Sequence, residues 1–81
     1  MDIYDHFRVV ARAVTNHATY SPHRQARIIS VPRVKDVVRQ KIGNTAVGLP
    51  TVDAALEEGA QRGFWEMDFD HDNELDIVIV R

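Results

Sequence analysis

Apolar residues recur at steps of three and four near the start of the chain, which predicts an amphipathic helix over residues 2–17. The same spacing returns later and predicts a second helix over residues 32–42. Pro32 suits its first turn, where the missing N–H would have no partner. Gly43 follows the last apolar position and predicts the end of this helix and the start of a turn. The inward positions of the two helices are Ile3, Phe7, Val10, Ala11, Val14, Val34, Val37, Val38 and Ile42.

Residues 51–65 are predicted to begin as a helix and to end as a strand. Val52 and Leu56 keep the helical spacing, whereas after Gly63 apolar and acidic residues alternate with a period of two. Gly63 suits the helix end because glycine adopts the left-handed conformation at no steric cost. We therefore predict a third helix that starts at Pro50 and is followed by a β-hairpin.

The two C-terminal strands are predicted to pair through a three-residue loop, 71–73. This register opposes Phe69 to Leu75 and gives one continuous apolar face. A two-residue loop would oppose Phe69 to Asp76 and bury a carboxylate among aromatic residues. The three-residue loop is therefore the prediction, with Asn73 in the left-handed conformation.

The order of these elements resembles the winged helix-turn-helix superfamily. The stretch that carries the resemblance is TVDAALEEGAQRGFW, which is similar to the pattern T-V-x-x-A-L-x-x-L-x-x-x-G followed by two hydrophobic residues. The resemblance implies a single α+β domain over residues 1–81, with three helices, a short strand and a C-terminal β-hairpin, the wing. The short strand, residues 27–30, would pair with the hairpin after a loop over residues 18–27.

Gly59 departs from the superfamily pattern, which has an inward leucine at that position. Glycine removes core contact and costs a helix about 1 kcal/mol relative to alanine. Two explanations remain open. The helix is loosened at its last turn, or another element packs close against it.

Composition and charge narrow the function classes. The 81 residues include no cysteine, which excludes disulfides and thiolate metal sites. No apolar run approaches the roughly 20 residues of a membrane helix, and the N-terminus does not match a secretory signal, so a cytoplasmic protein is expected. Residues 1–50 carry a net charge of +5 and residues 51–81 a net charge of −7. This split is either uneven scatter or a molecule with a basic side and an acidic side.

No candidate catalytic or cofactor site stands out. The four histidines have no spacing that puts two on one helical face as a metal pair, and the serines have no evident base to activate them. The acidic run 68–76 resembles the start of a calcium loop, but Asn73 stands where glycine is needed and Ile79 where a bidentate glutamate is needed. Strand alternation explains the same residues, so we expect no metal, no cofactor and no catalysis.

The superfamily resemblance implies DNA binding, with the third helix in the major groove and the wing over the adjacent backbone. The outward positions of that helix include three carboxylates, which phosphates would repel. DNA binding would then need either the basic first and second helices or a dimer that combines two basic faces. The first hypothesis is a dimeric, nucleoid-associated transcriptional regulator that binds double-stranded DNA. Its candidate contacts are Arg33, Lys35, Arg39, Arg62, Arg8 and Arg12.

The alternative hypothesis is a winged helix that binds protein. Its acidic third helix and wing would engage a basic partner or the basic half of a neighbouring copy. A head-to-tail contact of this kind gives homodimers or larger assemblies and can propagate into a filament. The candidate contacts are Asp53, Glu57, Glu58, Asp68, Asp70 and Asp72.

Overall fold

A computed structural model describes residues 3–42 and 49–81, and within them the chain forms three helices and a four-stranded antiparallel sheet. The α+β class and the three predicted helices are confirmed. The predicted order of elements is wrong in one respect, because the structure has a strand that the sequence did not predict. The turn predicted after Gly43 lies outside the described residues. The elements are α1 (Ile3–His17), β1 (Thr19–Ser21), β2 (Ala26–Ser30), α2 (Val31–Ile42), α3 (Leu49–Gln61), β3 (Glu66–Asp70) and β4 (Leu75–Val80).

The three helices pack on one face of the sheet. α1 contacts both α2 and α3, and α2 also contacts β4. The positions predicted to face inward supply much of this core, and burying each such side chain contributes roughly 1.5–3 kcal/mol. The most deeply buried core residues include Val10, Val14, Val34, Val52, Leu56 and Val78.

Ser30 caps the start of α2. Its Oγ accepts a hydrogen bond from the backbone N–H of Arg33 at 3.2 Å, so one of the unpaired donors of the first turn is satisfied. Pro32 lies in the same turn, as the sequence predicted.

Replacing Ser30 with alanine will lower the free energy of unfolding by about 1 kcal/mol, because the N–H of Arg33 loses its acceptor. Urea denaturation followed by the fluorescence of Trp65 measures the change. Ser30→Thr keeps a hydroxyl at the cap and should retain most of the stability. An equal loss in both variants would argue against a capping role.

The sheet has the strand order β1-β2-β4-β3, with β4 in the interior. The predicted short strand is confirmed as part of β2, where Ile28 lies opposite Ile79 of the hairpin. The predicted loop over residues 18–27 is wrong, because β1 and the start of β2 form a hairpin there. All three β1 residues are wholly or partly exposed, so no apolar alternation marks this strand in the sequence. Residues 19–21 form a strand because they pair with β2, not because of a pattern in their own sequence.

The register predicted for the C-terminal hairpin is also wrong. Phe69 lies opposite Asp76, and the turn contains four residues, 71–74. The residue in the left-handed conformation is Glu74, with φ of 55°, rather than Asn73. The four-residue turn shifts the pairing by one position and therefore changes which side chains share a face.

Burial of β4 on both faces explains the observed register. Val78 packs against the helices, whereas Ile77 and Ile79 are buried on the opposite face of the sheet, the outer face. The prediction assumed a single buried face, which is wrong for β4 because Val78 is buried on one face and Ile77 and Ile79 on the other. Met67 and Phe69 of the edge strand are consequently left 40% exposed.

Gly59 makes room for Trp65. An added Cβ at Gly59 would overlap the six-membered ring of the indole. The indole Nε1 donates a 2.8 Å hydrogen bond to the carbonyl of Leu56, and the side chain is only 6% exposed. Close packing is therefore the explanation for glycine at this position. Beyond it, Gly63 ends α3 with φ of 82°, and the N–H of Phe64 donates to the Gly59 carbonyl at 2.9 Å.

Candidate nucleic-acid and protein interfaces

Cations of α1 and α2 gather where these two helices meet. Arg12 and Lys41 line a shallow groove between the helices, together with Asn16 and His17. His17 also borders the adjoining groove, which Arg33 lines from the start of α2. We call the surface formed by Arg12, His17, Arg33 and Lys41 the basic seam.

The basic seam is long enough to meet more than one phosphate. Arg33 and Lys41 are eight residues apart on α2, which corresponds to about 12 Å along the helix axis. Arg8 lies one turn before Arg12 on the exposed side of α1 and extends the positive surface. At the other end of α1, Arg27 donates a 3.0 Å hydrogen bond to the carbonyl of Thr15 and adds a further cation.

Lys35 and Arg39 do not join the basic seam. Lys35 is paired with Asp53 of α3, with an N–O distance of 3.2 Å. Arg39 lies 3.9 Å from the carboxylate of Asp36. Both cations are already partly neutralised by their own chain.

Arg62 also lies away from the seam, at the end of α3. Its guanidinium is 2.7 Å from the carboxylate of Glu58 and 5.6 Å from the ring centre of Phe7. The six predicted nucleic-acid contacts therefore do not converge on one surface. Of the six, Arg12 and Arg33 form part of the seam and Arg8 lies beside it, whereas Lys41, a cation of the predicted basic second helix, and His17 were not among the six. The sequence does contain an indication of Lys41, because it lies eight residues after Arg33 and therefore on a similar side of the second helix.

A second groove lies between α3 and the C-terminal hairpin. The carboxylates of Asp53, Glu57 and Asp76 line it, and Ala60 and Met67 contribute apolar surface. Its volume is about 550 Å³. We call this surface the acidic groove.

The six predicted protein contacts divide between different surfaces. Asp53 and Glu57 line the acidic groove, whereas Glu58 is paired with Arg62. Asp68, Asp70 and Asp72 are not in the groove. Asp68 lies opposite Ile77, so its side chain is on the outer face of the sheet. Asp70 shares that face, and Asp72 lies in the hairpin turn. Asp76 joins the groove only because of the observed register, which the sequence reasoning rejected.

The aspartates of the hairpin are engaged by their own chain. Arg24 donates to Asp68 Oδ2 at 2.5 Å, and the N–H of Phe69 donates to Oδ1 at 2.7 Å; these bonds lower the pKa of Asp68. The side-chain amide of Asn73 donates to Asp70 at 2.8 Å, and this bond lowers the pKa of Asp70. In the described ranges, no group of histidine, aspartate and glutamate residues is arranged to hold a metal ion.

We expect the hairpin to lose stability at acidic pH, because the pKa values of Asp68 and Asp70 are lowered in the folded protein. Both carboxyls titrate below their ordinary value of 3.8 in the folded protein, so their stabilising effect is complete above that pH. It is lost as the pH falls through the lowered pKa values. Carboxyl carbon NMR titration should show both shifts. In Arg24→Gln, the pKa of Asp68 should rise while that of Asp70 changes little; an unchanged Asp68 would contradict the role of Arg24.

Comparison with known proteins adds no family assignment. The chain matches no protein-family model, no curated protein and no solved structure. None of the described helices is long and apolar enough to cross a membrane.

Proposed function

We propose that the protein is a non-catalytic DNA-binding domain of the winged-helix type that contacts double-stranded DNA through its basic seam. The observation that carries this proposal is that Arg12 and Lys41 line the junction of α1 and α2, while Arg33 lines the adjoining groove, which His17 also borders. Lysine and arginine supply most of the affinity for the phosphate backbone. The protein would act as a regulator by occupying DNA rather than by chemistry.

The connectivity of the sheet supports the winged-helix assignment. β2, the strand between α1 and α2, pairs with β4, and β3 lies on the far side of β4. α3 leads through Gly63 into the β3–β4 hairpin, which corresponds to the wing. β1 is then a three-residue addition at the other edge of the sheet.

The usual recognition helix is poorly suited to DNA in this chain. Asp53 and Glu57 are exposed on α3, and a carboxylate facing phosphates is repelled. The cation at the end of the helix, Arg62, is paired with Glu58. The seam has more favourable chemistry, because Arg12, Arg33 and Lys41 line its two grooves, and Asp70 is the carboxylate among the described residues that line them.

Binding through the seam should be weak and strongly dependent on salt. Three phosphate contacts give a slope of about −3 for log K against log salt, and non-specific affinities lie at about 10⁻⁴ to 10⁻⁶ M at physiological salt. Fluorescence anisotropy with a labelled mixed-sequence duplex measures both quantities. Lys41→Glu and Arg12→Glu should each weaken binding about tenfold or more and reduce the slope by about one.

The matched control is Arg39→Glu, which makes the same charge change on α2 but away from the seam. It should weaken binding much less than Lys41→Glu. Absence of binding by the unmodified protein at low salt would refute the proposal. Equal losses in Lys41→Glu and Arg39→Glu would refute the seam as the contact surface.

A second function is supported by the acidic groove. Its carboxylates and the exposed side chain of Met67 suit a basic protein surface with some apolar character. NMR titration with a soluble peptide of alternating lysine and leucine tests this function. Shifts confined to Glu57, Ala60 and Met67 would support it, and shifts spread over all acidic residues would indicate only non-specific attraction.

A further inference from the structure

The basic seam and the acidic groove are complementary surfaces of one chain. The residues that line them do not overlap. Lys35 faces Asp53 at the groove, and Arg33 borders the seam. Residues two apart on a helix lie on different sides, so the two surfaces flank α2. A single molecule cannot bring them into contact without unfolding.

We propose that the acidic groove binds the basic seam of a second copy of the chain, in a head-to-tail contact. The proposal rests on the second function given above, protein binding by the groove, and not on DNA binding. It identifies the partner as the chain itself, because the complementary charge is present on the same molecule.

The groove has charge available for such a partner. Glu57 and Asp76 are exposed, and within residues 3–42 and 49–81 neither takes part in a salt bridge. Met67 and Ala60 lie beside them. A long cationic side chain can lay its methylene groups on this apolar surface and place its charge at the carboxylates.

The seam offers side chains of that kind. Arg12 and Lys41 flank a groove that also includes Val9, which is half-buried. Their charged ends would meet Glu57 and Asp76, while Val9 would add apolar contact near Met67. Opposite charges at the centre of an interface favour this pairing over contact with other surfaces.

The same charges disfavour contact between like surfaces. Seam against seam would oppose cations, and groove against groove would oppose carboxylates, so both contacts are repulsive. The favourable contact uses a different surface on each copy. It therefore leaves one seam and one groove free, which either pair with each other in a closed two-fold dimer or bind further copies in a ring or an open chain.

Sedimentation velocity of the full chain, without nucleic acid, tests self-association. At low salt, about 0.05 M, the mass should rise with concentration above the 9.2 kDa of the monomer. At about 0.5 M salt the Debye length falls to a few ångströms and the monomer should return. A monomer under both conditions up to millimolar concentration overturns the proposal.

A charge exchange between the surfaces identifies the contact. Glu57→Lys in the groove and Lys41→Glu in the seam should each weaken association at least about tenfold. An equimolar mixture of the two variants should associate again, because each variant supplies a surface complementary to the other. A folding defect could not be restored by mixing, so the test does not depend on either variant alone.

Two variants serve as controls with the same charge changes. Asp72→Lys lies in the hairpin turn and Arg39→Glu on α2, both outside the two surfaces, so association should persist in each. Association that is unaffected by Glu57→Lys and Lys41→Glu overturns the proposed contact. A failure of DNA binding does not affect this test, because the test is made without nucleic acid. If the lysine–leucine peptide binds but the chain does not self-associate, the groove binds protein and the second copy is refuted as its partner.

Discussion

Replacing Gly59 with alanine will destabilise the protein by about 2 kcal/mol, although alanine is the better helix former. The added Cβ would overlap the six-membered ring of Trp65, so the indole or α3 must move. Overpacking of this kind costs about 1–3 kcal/mol, and the 2.8 Å bond from Trp65 to the Leu56 carbonyl would be strained or lost. Helix propensity offsets only about 1 kcal/mol.

The sign of this effect should reverse when the indole is removed. In a Trp65→Phe background the smaller ring leaves space at residue 59, and Gly59→Ala should then stabilise the helix by up to about 1 kcal/mol. Urea denaturation followed by circular dichroism measures all four proteins of this double-mutant cycle. If alanine costs the same free energy in both backgrounds, contact with the indole is not the reason for glycine at this position.

Trp65→Ala will cost about 3–5 kcal/mol, which is the range for removing a buried aromatic side chain. Trp65 is 6% exposed, packs on Gly59 and stacks with Phe7 at a ring-centre distance of 6.1 Å. A chain of this length is expected to have a total stability of about 4–12 kcal/mol. The variant should therefore lose from about a quarter to all of the stability of the folded protein, and its melting temperature should fall clearly.

Thermal denaturation followed by far-ultraviolet circular dichroism checks this prediction. Phe64→Ala is the matched control, because Phe64 is the adjacent aromatic residue in the same cluster but is 57% exposed. It should cost no more than about 1 kcal/mol. Similar melting temperatures for the two variants would show that Trp65 does not anchor the hairpin to α3.

The contact between Trp65 and Gly59 also positions the acidic groove. Trp65 precedes β3 directly, and Gly59 precedes Ala60, which lines the groove opposite Met67. Any shift of the indole therefore changes the separation of α3 and the hairpin. Stability and binding by the groove are linked through this one packing contact.

The helices and their inward faces could be predicted from the amino-acid sequence alone. The three- and four-residue spacing of apolar residues is a local property, and so is the left-handed glycine at position 63 that ends α3. The sequence also predicted that a strand between the first two helices pairs with the hairpin, and β2 does pair with β4. The alternatives at Gly59 could be stated but not decided, because Trp65 is six residues away and its placement depends on the hairpin.

The hairpin register and the composition of the two surfaces depend on contacts between elements that are distant in the chain. The apolar run Leu75–Val80 is compatible with either register until both faces of β4 are known to be covered. Which charges remain available depends on partners distant in the chain, such as Arg24 with Asp68 and Lys35 with Asp53. Spacing along one helix or strand carries no information about such pairs, because their distance is set by how the elements pack.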